Sequence, residues 1–331
     1  MQHEIDILFR VDAGSDCGFG HAARCIMLME LMLEQRPNLV MAFQGEYSPT
    51  ARRRILSKMP GLSLYPVELA VFANLVVIDT MSNHLDMNAF NYGEALDYQS
   101  RDGKVLAICS GTEAPELPGM VVVGYQPSKV VPNPPMLRWS LKYAPVSPNL
   151  VEGELPEREP GRVLVALGGH PDDHFLRATL RSMKPVEWID EIDILLSPVM
   201  GSRSSRYSAG KDKNITLHRD VPSVAPLLAG CELAIVSYGN MAFEALALGT
   251  PLCIVGQKGF QRELARRLDE RCLAMAAEPT EKELPEVLDA LRNDAHEISR
   301  RAQGTVDTQG LQRLADLILS ERPSALSLLT R

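Results

Sequence analysis

The chain has 331 residues, 45% hydrophobic and 23% charged, with a formal net charge of −8, a soluble globular composition with length for two domains. An acidic balance argues against a nucleic-acid protein, which would carry a basic stripe, and no apolar run approaches the roughly 20 residues that span a membrane. The start, MQHEIDILFR, carries acids and runs straight into a strand, so no signal peptide is expected and the cytoplasm is the expected location.

In chain order, Ile7–Val11 reads as a strand, Asp12–Gly20 as a glycine loop and Ala22–Leu33 as a helix. His21 stands where the loop becomes the helix. The first N–H groups of a helix lack internal partners and carry positive partial charge, and a Gly-x-Gly turn lets a phosphate approach them. The stretch suits an anionic ligand beside a histidine, and it equally suits an ordinary glycine-rich βα turn. Strands follow at Leu39–Phe43, Leu62–Val67, Leu75–Asp79, Val105–Cys109 and Met120–Val123, with helices at Ala51–Met59 and Met87–Arg101. Cys17, Cys25, Cys109, Cys231, Cys253 and Cys272 form no C-x-x-C pair and read as reduced, mostly buried thiols.

From Gln126 to Gly161 prolines accumulate, and regular structure is not expected there because proline removes donors and fixes φ. The part around Trp139–Tyr143 is expected to pack against the ligand cleft. A second alternating series follows, with strands at Arg162–Leu167, Glu191–Leu196, Ile215–Leu217, Glu232–Val236 and Pro251–Val255. Helices are expected from Pro171 or Asp172 to Met183, over Pro222–Leu228, Met241–Leu248 and Phe260–Leu268, and through Glu281–Leu319. The predicted class is α/β, two Rossmann-like domains with a cleft between them. Residues 1–144 form the first domain, 145–160 a proline-rich linker and 161–331 the second domain, with the last helix on either.

A second strand–glycine–helix unit runs AIVSYGNMAFEALALGTPLCIVGQKGFQREL over Ala234–Leu264. Tyr238, Gly239, Asn240 and Met241 open its helix, and Glu244 follows about one turn in. A carboxylate there could accept two hydrogen bonds from a ribose diol while the helix N-terminus faces a diphosphate; an ordinary βαβ unit with a solvated Glu has the same spacing.

The pattern S-x-G-x-x-x-x-E-A-L-x-L-G-x-P, followed by Gln261, resembles the nucleotide-sugar half of GT-B enzymes. With F-R-x-D-A-x-x-x-x-G-F-G-H-x-x-R-C over Phe9–Cys25, it resembles the UDP-2,4-diacetamido-2,4,6-trideoxy-β-L-altropyranose hydrolases of pseudaminic acid biosynthesis and their relatives in spore-coat polysaccharide synthesis. Val77-Ile78-Asp79, Lys142-Tyr143-Ala144 and Ala166-Leu167-Gly168-Gly169 match as well. The resemblance implies GT-B architecture and metal-free, cofactor-free hydrolysis of a UDP-activated amino sugar, releasing UDP. Glycosyl transfer from a UDP-sugar on the same fold is the alternative, and a nucleotide-sugar-binding protein without turnover a second one. Carried over, His21 is the general base and Asp12 orients or polarises it or organises its loop. Gly18, Gly20, Arg24, Asp79, Tyr143 and Gln261 face the sugar. Gly168, Gly169, Tyr238, Gly239, Asn240, Met241 and Glu244 hold the nucleotide. The chain departs from that family on the sugar side, at Thr80-Met81, Cys109-Ser110-Gly111 and Pro145-Val146-Ser147-Pro148.

The run Gly168–His174, GGHPDDH, is close to the A-H-P-D-D-E run of zinc-dependent deacetylases, but the later H-x-x-H that would complete such a site is missing from the sequence. No metal site is therefore expected. Arg52-Arg53-Arg54, and Arg262, Arg266 and Arg267, read as solvated helix faces. Arg203 and Arg206 lie in a Ser-rich loop. His3, His84, His218 and His296 receive no role.

Overall fold

The computed structural model describes residues 4–14, 18–79, 100, 104–109, 120–125, 137–168, 173–196, 207, 213–219, 221–257 and 259–321. Two compact units divide the chain. One comprises Met1–Tyr143 and Gln309–Arg331, the other Ala144–Thr308.

The first unit is built on a seven-stranded parallel sheet. Its strands are β1 Ile5–Val11, β2 Met41–Gln44, β3 Ser63–Tyr65, β4 Ala73–Asp79, β5 Val105–Cys109, β6 Met120–Gly124 and β7 Leu137–Trp139, in the order β3-β2-β1-β4-β5-β6-β7. Chain order reverses between β1 and β4, which makes this pair the switch point where a doubly wound sheet receives ligands beyond its strand ends. The strands are continuous β-branched and aliphatic runs because both faces are covered. Ile7, Leu8, Phe9, Leu75, Val76, Val77 and Ile78 have no exposed surface. Helix α1, Gly20–Gln35, and α2, Pro49–Lys58, follow β1 and β2. Ser48 caps α2 by accepting from the Ala51 N–H, with proline in the first turn.

The proline-rich segment contains more regular structure than expected. Leu137-Arg138-Trp139 has no proline, keeps its donors and pairs in parallel with β6 as an edge strand. Two 3-10 turns follow, Leu141–Tyr143 and the proline-led Pro148–Val151, which Ser147 caps. The helix expected at Met87–Arg101 lies almost wholly outside the described residues.

The second unit carries a six-stranded parallel sheet ordered β10-β9-β8-β11-β12-β13, with β8 Glu159–Ala166, β9 Glu191–Leu196, β10 Asn214–Arg219, β11 Cys231–Val236, β12 Leu252–Val255 and β13 Met275–Ala277. Here the switch point lies between β8 and β11. Helix α3, Asp173–Ser182, is followed by α4 Ala225–Gly230, α5 Asn240–Leu248, α6 Gly259–Asp269, α7 Glu283–Asn293 and α8 Ala295–Gln303. One face of the sheet presents Val163, Val165, Ile192, Ile194 and Ile235 to Leu176 and Leu180 of α3 and to Leu284, Leu288 and Leu291 of α7, the i, i+4, i+7 stripe of a packed helix. Gly249 closes α5 in the left-handed conformation, φ +67°, with its N–H bonded to the Ala245 and Leu246 carbonyls. Strand β13 escapes sequence reading because Met-Ala-Ala has no β-branched residue.

The chain then returns to the first unit. Helix α9, Gly310–Glu321, packs on α1, burying Leu311, Leu314, Ile318 and Leu319. Gln35 donates to Asp316 at 3.0 Å, and Lys104 reaches the Glu321 carbonyl at 2.7 Å.

Candidate active site

Each switch point carries a distinct cluster. In the first unit, β1 and β4 end side by side, Val11 in register with Asp79. The backbone of the loop after β1 closes on itself through two hydrogen bonds between Gly14 and Gly18, and Gly18 takes φ +71°. Helix α1 then starts at Gly20 with no side-chain cap from Phe19, leaving the first-turn amides to other partners. His21 lies in that first turn, and Arg24 lies one turn further on the same face.

Both side chains converge on Asp79, which has no exposed surface. Asp79 Oδ1 stands 2.8 Å from His21 Nδ1. Arg24 Nε donates to Oδ2 at 2.7 Å and Nη2 to Oδ1 at 2.5 Å, a two-pronged pair. Cys25 Sγ approaches Oδ2 at 3.5 Å. Burial alone would raise the Asp79 carboxyl, but the charges and hydrogen bonds of Arg24 and His21 hold it well below the usual carboxylate range. Burial together with Asp79 pushes the Cys25 thiol up, keeping it protonated. Because the carboxylate is ionised and accepts only, the proton between it and the imidazole resides on Nδ1, and Nε2, across the ring, is left as the basic nitrogen.

This geometry changes several sequence assignments. Of the roles expected of Asp12, its contact suits the organising of the loop: its Oδ1 accepts from the Glu46 N–H at 2.9 Å, tying the end of β1 to the segment after β2. Asp79 takes the orienting place. Asp79 and Arg24, both expected to face the sugar, are buried, with Asp79 bonded to its neighbours and Arg24 only 2% exposed. Gly18 and exposed Gly20 flank His21, each with open space where a side chain would project. Tyr143 stands half-buried in the 3-10 turn Leu141–Tyr143. Arg54, read as part of a solvated face, lays its guanidinium over the Phe19 ring at 4.9 Å.

In the second unit, the loops after β8 and β11 meet. Gly168 takes φ +86°, and a side chain there would meet Ser237 Oγ at 3.0 Å, so the close approach requires glycine. Gly169 lies outside the described residues, as do the three residues that follow it in the GGHPDDH run. Tyr238 is buried and meets Phe243 edge-on, ring centroids 5.8 Å apart. Gly239 precedes α5 with open space at its Cβ position and no side-chain cap on the helix. Asn240 and Met241 are half-buried in the first turn.

Glu244 is half-buried and, among the described residues, has no hydrogen-bond or ion partner. Burial pushes its carboxyl up from 4.5 to about 7. Gln261, half-buried, donates to the Tyr238 carbonyl at 3.2 Å and accepts from the Gln257 N–H at 3.0 Å, bracing the loop after β11.

A further polar cluster was not anticipated. Buried Asp193 accepts from Arg162 at 2.6 Å and lies 2.6 Å from His218 Nε2. Only the register of β8, β9 and β10 places the three on one face, and register is not written in the spacing of any one strand.

No family model matches the chain. A stretch of 112 residues is 28% identical to an uncharacterised protein of Methanocaldococcus jannaschii, covering 32% of this chain and 23% of that protein. Among solved structures, MurG of Acinetobacter baumannii superposes with a TM-score of 0.61 at 15% identity, over 95% of this chain and 99% of that one. The glycosyltransferase of kitacinnamycin gives 0.61 at 14% identity over 97% and 100%. A spinosyn rhamnosyltransferase complexed with thymidine diphosphate gives 0.59 at 12% identity over 94% and 100%. The fold is that of the GT-B glycosyltransferases. At these identities the likeness is one of fold.

Proposed function

We propose that this protein is an enzyme that transfers a glycosyl group from a nucleoside diphosphate sugar, with His21 as the base that activates the incoming hydroxyl. The observation that carries this reading is the hydrogen bond between His21 Nδ1 and ionised Asp79, which directs Nε2 away from the carboxylate. An imidazole held in one tautomer presents its other nitrogen as a proton acceptor.

In the proposed step, the acceptor O–H gives its proton to Nε2 while its oxygen bonds to the anomeric carbon. The bond from that carbon to the diphosphate oxygen breaks, and the leaving nucleoside diphosphate takes the electron pair. The second unit supplies the handle. Amides at the uncapped start of α5 suit the diphosphate charge, and Glu244 suits a ribose diol, which would supply the donors it lacks. Uridine is the expected nucleoside, on the resemblance of the Ala234–Leu264 stretch to UDP-sugar enzymes.

Water as the acceptor is the second reading, favoured by the F-R-x-D-A-x-x-x-x-G-F-G-H-x-x-R-C stretch and its resemblance to UDP-sugar hydrolases. The fold neighbours favour transfer. The test is to incubate chelator-treated protein with a panel of UDP-N-acetylated sugars and follow UDP release with and without acceptor alcohols. Release that requires an acceptor supports transfer, and release with water alone supports hydrolysis. UDP binding without turnover under any condition contradicts both.

A further inference from the structure

Resting on the reading of His21 as a base, we propose that Arg24 is a positioning residue for that base rather than a sugar contact, and that Tyr125 in turn holds Arg24. The guanidinium uses three nitrogens for three acceptors: Nε to Asp79 Oδ2, Nη2 to Asp79 Oδ1, and Nη1 to the Tyr125 hydroxyl at 2.9 Å. Its carbon also lies 5.5 Å from the centroid of the Tyr125 ring. Tyr125 follows β6 and is 2% exposed, so the network joins α1 to the ends of β4 and β6.

Two consequences follow for His21. First, the two-pronged grip fixes the plane of the carboxylate and thereby places Oδ1 at Nδ1. Second, Arg24 Nη2 lies 3.1 Å from Nδ1 and donates to the same Oδ1 that stands 2.8 Å from Nδ1. One carboxylate charge is thus already balanced by a guanidinium that burial alone would weaken but Asp79 keeps firmly protonated. Without Arg24, the buried carboxylate would find its counter-charge in a doubly protonated imidazole, which cannot act as a base. The same argument explains a buried arginine in the H-x-x-R spacing: it serves the histidine one turn before it.

The test uses the full chain with 15N-labelled histidine, read by long-range proton–nitrogen correlation at the pH of the UDP-release assay. The expected wild-type spectrum shows His21 protonated at Nδ1 and bare at Nε2. In Arg24→Met, Nε2 carries a proton in a substantial share of molecules and kcat falls about a hundred-fold, while KM for the sugar donor and calorimetric affinity for UDP stay within about two-fold. Arg24→Lys, which keeps the charge and loses the fork, lies between. An unchanged imidazole spectrum in Arg24→Met overturns the proposal whatever the rate does, and so does a raised KM with kcat intact, the signature of a substrate contact. Should Arg24→Met not fold, Tyr125→Phe carries the test: the Nδ1 signal is expected to move and kcat to fall about two- to ten-fold, and no change in either overturns the proposal. The spectrum is read without substrate, so a failed UDP-sugar assignment is distinguishable from a failed role for Arg24.

Discussion

At His21 the decisive quantity is which ring nitrogen carries the proton, and Asp79 decides it. Asp79→Asn removes the charge that faces Nδ1 and leaves Arg24 buried without a counter-ion. Breaking a buried pair on one side costs about 3–5 kcal/mol, so denaturant unfolding should show a loss of that size together with a fall in kcat. The native pair also sets an acid limit. The Asp79 carboxyl lies lower folded than unfolded, so its stabilisation is present above the ordinary value of 3.8 and is lost as pH falls below it. Glu244 has the opposite sign. Its folded value, about 7, lies above its ordinary 4.5, so folding favours the protonated form, and apo stability should decline as pH rises from about 4.5 to 7. A ribose diol donates to the ionised form, so UDP affinity should increase through the same window. Glu244→Gln should flatten both profiles; an unchanged affinity profile in that variant would remove Glu244 from the nucleotide site.

At the scale of elements, one feature holds each cluster in place. Gly249 ends α5 at φ +67°, where a side chain would also press on Gln303. Gly249→Ala should cost about 1–2 kcal/mol of stability, measured by urea unfolding, since an L residue is strained there. Helix α9 covers α1 from 275 residues downstream of its C-terminal end (Gly310 against Gln35). Leu314 has no exposed surface, so Leu314→Ala should cost about 2–5 kcal/mol and, because α1 carries His21 and Arg24, reduce kcat more than UDP binding. Much of this level was legible in the sequence. The β-branched runs at Leu75–Asp79 and Glu232–Val236 announce buried parallel strands, and the glycine loops announce the turns after β1 and β11. The edge strands β7 and β13 were not legible, because β7 lies in a proline-rich stretch and β13 is Met-Ala-Ala without a β-branched residue.

At the scale of the molecule, the two sheets repeat one order of strands around one kind of switch point. The proposed function places the base at the first and nucleotide binding at the second. The sequence showed where these clusters lie more readily than what their members do. His21 and Glu244 stand out because a titratable group beside a glycine turn is chemically conspicuous. That Asp79 rather than Asp12 faces His21 depends on β1 and β4 lying side by side, a non-local pairing that no local spacing encodes. For the same reason the hydrogen bonds of Gln261 to the Tyr238 carbonyl and of Arg24 to Asp79 are invisible in the motif.

The central claim is that His21 takes the proton from the attacking hydroxyl. The most direct measurement is single-turnover release of UDP from a saturating UDP-sugar by His21→Ala, with UDP affinity measured on the same preparation. A rate about 10²–10⁴-fold below wild type with unchanged affinity is the predicted result; wild-type turnover in His21→Ala would contradict the account.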